Sequence, residues 1–98
     1  MILSEEFKIN KTLTEQHGVL KSRMARLYAD INQVSNLVYK VDLLKMYKGA
    51  NDLWAKLDNE LIACRAWHKL TPAYHTLAQE IESRIEYMNK RIVWSKMM

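Results

Sequence analysis

Cys64, His68 and His75 are the residues whose types come closest to a reactive set. Thiolate and imidazole both ligate zinc, and Cys64 and His68 lie four apart, one turn on one helix face. His75 follows just past a Thr71-Pro72 turn, so the three can meet at one end of a helical hairpin. A structural zinc site takes four ligands, and no second cysteine or carboxylate completes this set. A small buried thiol and an edge histidine need no metal. No metal and no cofactor are therefore expected. Two glycines cannot build a phosphate loop, and no Glu-x-x-His pair exists for a di-iron centre. The five serines have no histidine at motif spacing, so no catalytic residue is assigned and the chain is not expected to be an enzyme.

Arg84, Tyr87, Arg91 and Trp94 are spaced three, four and three and form a basic-aromatic stripe on one helix flank. Guanidinium planes and aromatic rings suit phosphates and unstacked bases. They equally anchor protein interfaces. These four are the candidate partner-binding residues. The competing reading places Tyr87 and Trp94 on the edge of the core and ties Arg84 to Glu80 and Lys90 to Glu86, each one turn back. Lys21, Arg23 and Arg26 form the densest basic cluster, but they point different ways, and Arg26 can pair with Asp30. A solvated face is expected there, not a phosphate track.

Elements that could position these groups follow from apolar spacing. Leu13, His17, Leu20, Met24, Leu27, Ile31, Val34, Val38 and Val41 alternate four and three apart. On a helix this places them on one narrow seam, as in coiled coils. A second seam in a new phase runs through Leu43, Tyr47, Ala50, Trp54, Leu57, Leu61, Cys64 and His68. A third runs through Tyr74, Ala78, Ile81, Ile85, Met88 and Ile92. Thr12 followed by Glu15 fits a capping box, and Thr71-Pro72 fits an N-cap followed by proline in the first turn. Lys48-Gly49 reads as a helix end. The expected helices are thus about 12–48, 51–69 and 71–95, with an arm over 1–11 in which Ser4 caps a turn and Phe7 and Ile9 tuck against the body. A bent helix through Gly49, or a bend near Gln33–Asn36, is the alternative.

Composition agrees with one helical domain over residues 1–98. Hydrophobic residues are 49% and charged residues 27%, and 2 Gly with 1 Pro leave few turns for a β-rich fold. The expected fold is all-α, an antiparallel three-helix bundle or helical hairpin with coiled-coil-like seams. A net charge of +4 permits an acidic protein or nucleic acid as partner and demands neither. One cysteine cannot form an internal disulfide, which fits a reducing, cytoplasmic setting. No membrane span and no secretory leader are expected.

The expected function is a small non-enzymatic interaction protein, an adaptor, inhibitor or assembly factor. The alternative is a nucleic-acid-binding accessory protein using the basic-aromatic flanks. A first helix of about 55 Å against a second of about 28 Å would leave Leu13, His17, Leu20, Met24 and Leu27 without intrachain cover. Those five are the expected self-association residues, in a dimer or higher homo-oligomer. His17, the polar member, would fix register there or respond to pH.

Overall fold

A computed structural model describes residues 5–67 and 69–97, with side chains from residue 11 onward. Three helices follow in order: α1 (Glu5–Asn32), α2 (Leu37–Trp67) and α3 (Pro72–Met97). They run up, down and up. Each touches both others, and α3 packs most extensively on α2. The fold is an all-α three-helix bundle.

The three seams meet in one core. From α1 come Leu13, Leu20, Met24, Leu27 and Ile31; from α2 come Leu43, Ala50, Leu57, Leu61 and Cys64. The α3 seam is buried at Tyr74, Ile81, Ile85, Met88 and Ile92, with Ala78 packed against it. The three stripes face each other around a common axis, so each is covered by the other two.

The first break falls at the alternative position, residues 33–36, and not at Lys48-Gly49. α1 ends at Asn32, and α2 starts at Leu37. The amides of Gln33 and Val34 bond back to the carbonyls of Asp30 and Ile31, both at 3.1 Å, a tightening that closes a helix end. Asn36 then caps α2, its Oδ1 accepting from the amides of Val38 at 2.9 Å and Tyr39 at 3.2 Å. Val34 is buried in the turn, whereas Val38 and Val41 are exposed and leave the seam. Gly49 breaks nothing; the helix continues through it because Asn36 has already supplied the cap and the register. The Thr12 cap is also corrected. α1 runs unbroken from Glu5 across the supposed arm, a segment without Pro or Gly to stop it. Ser4, Phe7 and Ile9 lie outside the described side chains.

The second break matches expectation. Thr71 Oγ1 accepts from the Tyr74 amide at 3.1 Å, and Pro72 opens α3. α2 stops at Trp67 rather than Lys69.

These boundaries make the helices nearly equal, with 28, 31 and 26 residues, or about 42, 46 and 39 Å. The overhang assumed for α1 is therefore absent. Leu13, Leu20, Met24 and Leu27 are covered by α2 and α3 within the chain, and His17 is half-buried. Their apolar surface is not left over for another copy.

Ile31 and Ile85 are almost wholly buried. Truncation to alanine at either should cost about 2–5 kcal/mol in urea unfolding. A loss under about 0.5 kcal/mol, the scale of surface changes, would contradict the packing. Gly18 has open space where a Cβ would stand. Gly18→Ala should therefore raise stability by up to about 1 kcal/mol, visible as a higher melting temperature. At Gly49 a Cβ would meet Arg84 Nη1 at 3.1 Å. The guanidinium must swing aside there, so Gly49→Ala should gain less than Gly18→Ala.

Candidate protein-interaction site

Arg91 is the centre of the candidate stripe. α2 and α3 are antiparallel, so Arg91 late in α3 stands level with Asp42 early in α2. Its Nη2 donates to Asp42 Oδ2 across the two helices. Its Nη1 lies 3.5 Å from the Tyr87 hydroxyl. The guanidinium carbon is 5.7 Å from the Tyr39 ring centre and 6.0 Å from that of Tyr87, within the reach of cation–π attraction. The Tyr87 hydrogen bond holds the guanidinium more firmly charged than usual, against a smaller opposing effect of desolvation, and the charge of Asp42 adds a lesser contribution in the same direction as Tyr87.

Arg84 takes the expected bond to Glu80 at 3.3 Å. Its other end-nitrogen lies over Gly49 on α2. Tyr87 and Trp94 are each about half exposed, at 48% and 49%. The structure thus places Arg84, Tyr87 and Arg91 along the α2–α3 side, with Trp94 one turn beyond Arg91. Asp42 and Tyr39 belong to this cluster and were not foreseen.

Beside Arg91 lies a feature that the spacing concealed. Leu37, Val38 and Val41 are 73%, 80% and 51% exposed on the first turns of α2. With Tyr39, Asp42, Lys45 and Arg91 they line an open groove of about 670 Å³. Val93, Trp94 and Met97 are also exposed near the end of α3, at the same end of the bundle. Val38 and Val41 had been assigned to the core. A break four residues before Val38 rotates both of them outward. An Asn-led turn at Ser35-Asn36 was the available signal.

The remaining candidates are dispersed. His17 joins α1 to α2: its Nε2 is 2.8 Å from Asp58 Oδ1, and its ring stacks on Trp54 at 4.3 Å and 24°. Its Nδ1 is buried without a hydrogen-bond partner. It is an intrachain contact. Cys64 sits under the α3 cap, where the Thr71 amide approaches its sulfur at 3.4 Å. Thr71 Oγ1 also donates to Glu60 at 3.3 Å. His75 faces a different groove, between α1 and α3. His68 lies outside the described residues. Cys64 and His75 are therefore not brought together, and among the described residues no three potential metal ligands cluster. Lys21 is solvated, as expected, while Arg23 and Arg26 flank the α1–α3 groove without the Asp30 pair foreseen for Arg26. No described helix is long and apolar enough to cross a membrane.

No protein-family model, curated protein or solved structure matches this chain. The α2–α3 end is an apolar rim beside the Arg91–Asp42 pair.

Under the α3 cap, Tyr74 is buried and its hydroxyl has no hydrogen-bond partner. Burial pushes its phenol above the ordinary 10.0, Cys64 and Asp58 add to the rise, and Arg65 opposes it. A phenol raised in the fold contributes fully below about pH 10, and the contribution is lost as pH climbs through the folded value, because the unfolded chain ionises first. Tyr74→Phe should keep or increase stability near neutral pH, by up to about 1 kcal/mol, since an unpaired hydroxyl leaves the core. Above about pH 10 it should lose less stability than the wild type. The loss should shrink without vanishing, because burial also raises Tyr47. Urea unfolding on both sides of that pH checks the sign.

Proposed function

We propose that this chain is a small non-enzymatic interaction protein that binds another protein through the open end of α2 and α3. The observation that carries this reading is the group Leu37, Val38 and Val41, left in solvent beside Arg91. Exposed apolar patches rimmed by polar groups mark interaction sites. Three such residues within five positions are more than the scattered apolar exposure of an ordinary surface. Arg91 is held in place by Asp42 and two tyrosine rings, so little side-chain freedom is lost when a partner meets it. Lys45 supplies a cation without an ion-pair partner among the described residues at the rim, and Trp94 supplies a half-exposed aromatic anchor. The lone cysteine fits action in a reducing compartment such as the cytoplasm.

A second reading, nucleic-acid binding, draws on Arg23, Arg26 and Lys96, which have no ion-pair partner among the described residues. Binding of that kind weakens steeply with salt, whereas an apolar patch holds.

The test replaces Val38 by a photoreactive benzoylphenylalanine and irradiates the protein in its own cells. Lys56, exposed on the middle of α2, serves as the control position. A discrete protein adduct from position 38 and not from 56, lost with Val41→Glu, is expected. Equal adducts from both positions, or adducts to nucleic acid alone, would refute the proposal. Arg91→Ala combined with Trp94→Ala should also weaken the adduct while the helical circular dichroism stays unchanged. Unfolding of that double variant would reassign the stripe to the core edge.

A further inference from the structure

We infer that the α1–α3 face is a self-association surface on which a second copy of this chain lies antiparallel. This face is separate from the α2–α3 end, and the inference does not depend on the reading given to that end.

α1 and α3 run parallel, and a groove follows the line between them in two lengths. The first, of about 350 Å³, is flanked by Glu15 and Glu82. The second, of about 410 Å³, is flanked by Arg23, Arg26 and Lys96, with Asp30 the one acid among them. Counting His75 neutral, the first length carries −2 and the second, three cations against one acid, carries +2. None of these charged side chains has an ion-pair partner among the described residues. The charges are therefore segregated along the face and left unanswered within the chain.

Such a pattern selects its occupant. A two-fold axis across the middle of the face lays the acidic length of one copy over the basic length of the other, twice over. A parallel arrangement would set like charge on like. An isologous contact needs no second protein with a matching pattern, because the complement is already on the same surface. Apolar contact is available beneath the charges. Val19 is 61% and Val93 51% exposed, one on each length. The molecule measures 55 × 24 × 16 Å.

The α1 seam is closed by α2 and α3, so the contact uses the flank of α1 that borders α3, at Val19, Arg23 and Arg26.

The experiment is charge reversal in separate chains, read by sedimentation velocity. One variant carries Glu15→Lys and Glu82→Lys, the other Arg23→Glu and Arg26→Glu. The wild type should show about twice the single-chain mass of 11.6 kDa at tens of micromolar, falling on dilution. Each variant alone should dissociate at least about tenfold more readily, since both of its contacts become repulsive. An equal mixture of the two should recover the two-chain mass, because every contact is again between opposite charges. Glu15, Arg26 and Glu82 are exposed and Arg23 is half-buried, and circular dichroism confirms folding. If either variant loses helix, Glu82→Gln and Arg26→Gln give the same comparison by removing charge, with a smaller effect. A wild type that stays at one-chain mass, a dimer indifferent to both variants, or a mixture no tighter than its components would each overturn the proposal. The photo-adduct at position 38 is read independently, so failure here leaves the α2–α3 proposal standing.

Discussion

Each helix of this chain has a single apolar stripe, and a stripe can be removed from water only by two others. That requirement governs the rest of the structure. The stripes of α1, α2 and α3 close on one axis, with Leu27, Ile31, Leu43, Ile81 and Ile85 among the side chains that leave almost no surface in solvent. Three mutually covering stripes must also be matched in length. The turn at 33–36 and the Thr71 cap set the helices at nearly equal lengths, so no seam extends beyond its cover. Apolar burial is non-directional, and it fixes which faces meet without fixing what the outer faces carry.

That division explains what could be read in advance. The α3 seam was legible from Tyr74 to Ile92, because a four-three spacing has one physical meaning when the helix is continuous. The Thr71-Pro72 start was legible because cap and proline act locally. The first break was hidden by coincidence. Val34, Val38 and Val41 continue the α1 rhythm, yet a four-residue turn intervenes, and only the first of them faces inward. Gly49 looked like a terminus, but a helical glycine is also a place where a neighbour can come close, and Arg84 does so. The Thr12–Glu15 box met no helix start. The motif describes what a start needs, and uninterrupted helix formers upstream supply no reason to begin there.

The surface was less legible than the core. The off-seam position of Arg84, Tyr87, Arg91 and Trp94 marked them as a stripe from sequence alone. Their surroundings were not visible, because Asp42 lies 49 positions from Arg91 and meets it only once α2 and α3 pair. Val38 and Val41 keep the spacing of the α1 seam, and the break at 33–36 turns both outward beside Leu37. His17 shows the reverse case. A polar residue on a seam suggested a contact between copies, and its demands are met at home by Asp58 and Trp54.

The short connections also bear on how quickly the chain finds this arrangement. α2 meets both of its chain neighbours across turns of about four residues, and α3 packs most extensively on α2. Most of the contacts that define the bundle are thus formed without closing a long loop, and loop closure is the entropic hurdle that slows folding. Helical proteins of such local connectivity fold in microseconds to milliseconds, on the order of a thousand times faster than sheets built from distant strands. The α2–α3 hairpin can close first, and α1 then docks on a surface already in place. A chain that folds this way exposes its apolar stripes only briefly, which leaves little time for unfolded copies to aggregate through them.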